Sequence, residues 1–140
     1  TSALDVSVQE TVCELLCKLQ KEKNITYLFI AQDLGLVDLM CHQVAVMYLG
    51  NVVEWMETGR IADHCKHPYT QALLRAVFKV DFQPGEKIEP LEGEIPSPLD
   101  LPQGCPFASR CPHCNERCLR EKPELKEIEH GLWVACLLVK

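Results

Sequence analysis

Five cysteines crowd the last third of the chain: Cys105, Cys111, Cys114, Cys118 and Cys136. Four of them lie within "GCPFASRCPHCNERC", residues 104 to 118. A thiolate is a soft ligand, so the chemistry on offer is metal binding or disulfide formation. A structural zinc site takes four ligands, often as two C-x₂-C knuckles. Cys111 and Cys114 supply one such knuckle, and a second with that spacing is missing. An iron–sulfur cluster also takes four thiolates and tolerates irregular loop spacing. Disulfides are disfavoured, because the nine cysteines are an odd number and "TSALDVSVQE" lacks a basic-then-apolar secretory pattern. Spacing alone leaves zinc and iron–sulfur both open.

The other four cysteines, Cys13, Cys17, Cys41 and Cys65, are scattered along the first half and read as reduced, small semi-apolar residues. His42 and His64 have no spacing that suggests a site. His67 precedes a proline-led helical pattern and reads as a packing or capping residue. No serine or cysteine motif accompanies any of them to make a nucleophile–base pair.

These residues must be positioned by something, and the composition bounds what. Of the 140 residues, 47% are hydrophobic and 24% charged, the balance of a globular domain. A net charge of -6 argues against nucleic acid, which wants a basic surface. No apolar run approaches the roughly 20 residues of a membrane-spanning helix, so any membrane role runs through a partner.

The apolar stripe Val8, Val12, Leu15, Leu16, Leu19 predicts an amphipathic helix over 7–24. "ITYLFIA", 25–31, is a short apolar, β-branched and aromatic run, which predicts a strand buried on both faces of a parallel sheet. Asp33 is placed to cap a short helix "LGLVDLMC". "QVAVMYLGNVVEWM" predicts a hairpin turning at Gly50-Asn51. "RIADHC" and "PYTQALLRAVF" predict two further helices, with Pro68 suited to a first turn. The class is α/β, and a single βα unit plus a hairpin makes an incomplete α/β domain.

Near residue 80 the composition changes. "DFQPGEKIEPLEGEIPSPLDLPQG" is rich in proline, which denies it helix interiors and central strands. It reads as an extended connector laid over the domain, anchored by Leu91, Ile95 and Leu99. The division expected is 1–80, then a connector and cysteine-rich segment over 81–140.

In this order these segments resemble the C-terminal part of an ATP-binding subunit of an ABC transporter, of the oligopeptide/dipeptide importer family. "TSALD" resembles the D-loop that follows the Walker B acidic pair, and "ITYLFIAQDLGLV" the strand and switch region. "HPYTQALLRAV", "LEGEIPSP" and "GCPFASRCP" resemble the marks of the peptide-importer group. The resemblance implies the C-terminal part of a P-loop, RecA-like ATPase domain followed by a small irregular cysteine-rich metal-binding segment. It implies ATP and Mg in the full-length parent, a second ATP-binding subunit and transmembrane permease subunits as partners. It also implies a cytoplasmic place, peripheral on the inner face of the membrane.

None of the seven glycines opens G-x-x-x-x-G-K-[ST], the loop that cradles phosphates, so these residues alone are expected not to hydrolyse ATP. The same incompleteness leads to an expectation of self-association, since an α/β domain missing its front exposes strand edges. Residue by residue, the resemblance gives Ser2 and Asp5 a D-loop role at the interface between two ATP-binding subunits. Gln32 stands at the switch position, where the family pattern has histidine. A glutamine amide donates a hydrogen bond but neither carries charge nor exchanges a proton near neutral pH, so impaired hydrolysis is expected. The family's cysteines fall on Cys105, Cys111, Cys118 and Cys136, which implies a four-iron, four-sulfur cluster, with zinc the alternative. Cys114 is then an extra thiol or a substitute ligand. A competing reading from another class is a non-catalytic metal-binding interaction module.

Overall fold

The computed structural model describes residues 6–78, 91, 93–97 and 100–139. They form two compact units, 1–42 and 43–140. Ser2 and Asp5 lie outside the described residues, as does Leu99 of the connector.

In the first unit, α1 spans Val6–Lys23. Lys21 and Lys23 sit in its last turn, where positive charge suits the carbonyl end of a helix dipole. Asn24 follows at φ 50, a left-handed residue that stops the helix and that asparagine tolerates better than most. Cys13 is the buried residue of the helix face. α2 spans Leu34–Met40 and begins as its sequence predicts: the Asp33 carboxylate accepts the N–H groups of Gly35 at 2.8 Å and Leu36 at 3.2 Å.

Between these helices the expectation of a buried strand over 25–31 is corrected. The segment forms no ladder, and Leu28 and Ile30 are 93% and 91% exposed. A strand buried on both faces needs neighbours on both edges, and no strand of the described residues pairs with it. Among the described residues no helix is long and apolar enough to cross a membrane.

The second unit is built on a four-stranded antiparallel sheet: β1 Gln43–Tyr48, β2 Asn51–Glu57, β3 Lys126–Glu129 and β4 Leu132–Val134, in the order β1-β2-β4-β3. The predicted hairpin is there, one residue earlier than its sequence suggests. Tyr48 pairs with Asn51, and the turn residues are Leu49 at φ 46 and Gly50 at φ 74. Two positive φ values in succession make the turn whose twist suits a hairpin. Asn51 stabilises it from the strand side, its Nδ2 donating to the Leu49 carbonyl at 2.8 Å.

Among the described residues, the α-helices of the unit are α3 Ile61–His64, α4 Pro68–Phe78 and α5 Glu116–Arg120. One face of the sheet, with Val44, Val46, Tyr48, Val53, Met56, Leu132 and Val134, is buried. The cysteine-rich segment sends Phe107 into the same core. Its ring lies 5.2 Å from Tyr48, 5.4 Å from Tyr69 and 5.8 Å from His67, edge-on or tilted. The compositional change near residue 80 therefore falls inside one packed unit, since β4 adds to the hairpin through Glu54↔Val134 and Trp55↔Trp133. Outside the core, Arg60 donates to the His130 carbonyl at 3.0 Å and meets Glu129 at 3.3 Å, which fixes where the β3–β4 turn lies.

The connector departs from its expected anchoring. Ile95 is 65% exposed while Leu91 is half-buried, so the apolar spacing does not make three equal anchors. Among the described residues, Arg110 ties this stretch down by donating to the Leu91 carbonyl at 3.3 Å.

Candidate functional site

The cysteine-rich segment folds through short turns, each closed by a backbone hydrogen bond. Cys105 N–H donates to the Cys118 carbonyl at 2.8 Å, Ala108 N–H to Cys105 at 3.0 Å and Cys114 N–H to Cys111 at 3.1 Å. Gly104 makes this path possible. A Cβ there would overlap the Cys118 carbonyl oxygen and lie 2.6 Å from that of Leu119, so no side chain fits. Asn115 starts α5, its Oδ1 accepting the N–H groups of Arg117 at 3.0 Å and Cys118 at 3.2 Å. Cys118 is thereby buried at the helix start. Cys136 arrives from β4, whose course is continued by Ala135 N–H donating to the Val53 carbonyl at 2.9 Å.

These elements bring five thiols, Cys105, Cys111, Cys114, Cys118 and Cys136, into one neighbourhood. Burial pushes the Cys105 thiol up to about 11, and the neighbouring Cys118, Cys136 and Cys111 add to that rise. Burial likewise raises Cys111, with Cys136, Cys114 and Cys118 as its sulfur neighbours. Burial raises the Cys114 thiol and the neighbouring Cys118 adds to the rise, while Cys114 Sγ donates to the Asn115 carbonyl at 3.7 Å. All nine cysteines are free thiols. Among the described residues, no three His, Cys, Asp or Glu side chains are arranged closely enough to hold a metal ion as they stand. The raised pKa values of Cys105, Cys111 and Cys114 favour the neutral S–H form, so as they stand these groups are thiols rather than thiolates.

A second polar cluster was not legible as a site. Glu54 of β2 is fully buried, its Oε1 accepting the N–H groups of Lys66 at 2.6 Å and His67 at 3.2 Å. Burial pushes its carboxyl up against the lowering effect of those donors. The Thr70 hydroxyl adjoins the same carboxylate, although neither Oε2 nor Thr70 Oγ1 completes a well-formed hydrogen bond. His67 caps α4, its Nδ1 accepting the Tyr69 N–H at 3.1 Å, and burial lowers its pKa to about 4. The cluster locks β2 to the start of α4. A glutamate in an apolar strand pattern next to "HPYT" was the only signal for it.

Gln32 is exposed in the first unit, directly before the capping Asp33. Cys17 and Cys41 are also neighbours in that unit, where burial first and Cys17 second raise the Cys41 thiol.

Residues 53–118 match the family described as "Oligopeptide/dipeptide transporter, C-terminal region". Over 141 residues the chain is 47% identical to a Bacillus subtilis (strain 168) protein named "Putative oligopeptide transport ATP-binding protein YkfD", covering 99% of this chain and 43% of that protein. It is 44% identical over 140 residues to an oligopeptide transport ATP-binding protein of Haemophilus influenzae, covering 99% of this chain and 42% of the other. The chain thus spans less than half the length of these curated relatives.

Proposed function

We propose that this chain, which belongs to the oligopeptide/dipeptide transporter family through its C-terminal region, serves in the ATP-hydrolysing subunit of a peptide importer. What carries the reading is close identity to ATP-binding proteins over nearly the whole of these 140 residues. In such a subunit, ATP and Mg sit at a phosphate-binding loop of a kind these residues do not contain. Two ATP-binding subunits would close on nucleotide and drive the permease subunits, holding the protein at the inner membrane face. Within residues 1–80, Ser2 and Asp5 would meet the second subunit, and Gln32 would orient the attacking water by its amide alone. Turnover by the full-length parent is expected to rise when Gln32→His restores a group able to carry charge near the γ-phosphate. Equal rates for the two proteins would remove Gln32 from the switch.

Residues 81–140 would hold a four-iron, four-sulfur cluster through Cys105, Cys111, Cys118 and Cys136. A bound cluster supplies a rigid cross-link. The residues so joined are the loop before Phe107, the start of α5 and the end of β4. Anaerobic purification should give a coloured protein with about four irons per chain. Cys105→Ser or Cys136→Ser should lose the colour and Cys114→Ser should keep it. A colourless protein holding one zinc would establish the alternative ion instead.

A further inference from the structure

The chain has two tryptophans, and both stand on the outward face of the sheet. Trp55 of β2 is paired directly with Trp133 of β4, and the row runs on to Ala45 of β1 and Glu127 of β3. Trp55 is 41% exposed and Trp133 39%. Side chains directly opposite on antiparallel strands have Cβ atoms about 5 Å apart. Even so, the ring contacts of the described residues all belong to Tyr48, Tyr69, His67 and Phe107 of the inner core. Both indoles are thus partly open to water, on the outward face that also carries the exposed Met47.

The outward row around this pair carries two carboxylates, Glu57 and Glu127, while the cation nearest Glu57 in sequence, Arg60, is engaged by Glu129 and the His130 carbonyl. Glu57 lies two residues beyond Trp55 on the same face and is exposed, with neutral Gln43 opposite it. Glu127, opposite Trp133, accepts the Gly131 N–H at 2.9 Å. Neither carboxylate takes part in an ion pair of the described residues. The nearest lysine in sequence, Lys126, stands opposite Val134 of the buried face and meets Glu124 at 3.3 Å.

We propose that this face binds an arginine side chain presented by a partner protein segment, with the guanidinium over the Trp55–Trp133 pair and Glu57 and Glu127 accepting its N–H groups. A guanidinium is planar, weakly hydrated and rich in donors, so it stacks on an indole while donating at its edge. An ammonium does this less well, and a neutral group of the same shape lacks the attraction to both the π faces and the carboxylates. Ala45 and Met47 provide apolar contact for the side-chain stem. The net charge of -6 steers a basic segment toward the protein. This inference does not depend on the transport reading.

Because the tryptophans lie only here, their emission reports this face alone. The 140-residue protein is titrated with a short Gly-Arg-Ala-Arg-Gly peptide, and with versions carrying lysine or neutral citrulline in place of arginine. The arginine peptide should quench emission saturably, at concentrations roughly tenfold below the lysine version, and should weaken steeply with added salt. It should also shield the indoles from acrylamide. The double variant Glu57→Gln/Glu127→Gln, both positions being on the solvent face, should bind about tenfold more weakly with unchanged thermal unfolding. Citrulline binding as well as arginine, equal binding by the double variant, or unmoved emission and acrylamide access at millimolar peptide would each overturn the proposal.

Discussion

Replacing Phe107 by alanine is expected to cost about 3 to 5 kcal/mol of stability, the range for deleting a large buried aromatic side chain. Phe107 is 1% exposed and touches Tyr48 from the hairpin and Tyr69 and His67 from the α4 region. The cavity would open where three chain segments meet, and rings held by one another have little freedom to collapse into it. The loss should also be shared. In urea, tryptophan emission follows the sheet and the reactivity of buried Cys118 follows α5, and both should move to the same lower midpoint. Leu119→Ala, next to Cys118 but 59% exposed, should change stability by no more than about 0.5 kcal/mol. A variant whose Cys118 became reactive while its sheet kept the parent midpoint would show that the cysteine segment folds apart from the hairpin.

The second large effect is on pH dependence. Buried His67 has its pKa lowered to about 4 from an ordinary 6.5. Between those values the unfolded chain takes up a proton that the folded chain refuses, so each step toward acid favours unfolding. The stability involved is fully present above pH 6.5 and is lost as pH falls toward 4, amounting to about 3 kcal/mol. Its physical source is twofold: desolvation of the ring, and an Nδ1 that must stay unprotonated to accept the Tyr69 N–H.

Glu54 acts in the opposite sense. Its raised pKa means that the folded chain keeps a proton the unfolded chain has released, so its contribution is present at low pH and is lost as pH rises through the folded value. His67→Asn retains an acceptor for the helix start and removes the titration. Urea midpoints of the parent should fall from pH 6.5 to 4, while those of the variant should stay level or rise. Parallel profiles would assign the acid loss to other groups.

The local elements were legible because their causes are local. Asp33 before an apolar run caps α2, and Pro68 opens α4, as nearest-neighbour chemistry dictates. The hairpin was readable from alternation, and its turn slipped by one residue because Asn51 is more useful as a strand residue bonding back to Leu49. The strand expected over 25–31 does not form, for a related reason. An apolar run states what it needs to be buried against, but it does not supply those neighbours.

By itself the sequence determined the chain's family motifs, the helices α1 to α4 but not α5, its hairpin and the identity of the thiols able to serve a metal. It could not show that Cys105, Cys111, Cys118 and Cys136 share one neighbourhood, or that Phe107 joins the segment beyond the connector to the hairpin core. Nor could it show Glu54 buried against the start of α4, or Trp55 set opposite Trp133. Only the tertiary structure decided these, because each depends on strands and turns distant in sequence being brought together. The side chains then titrate, pack or stay exposed according to what they meet there.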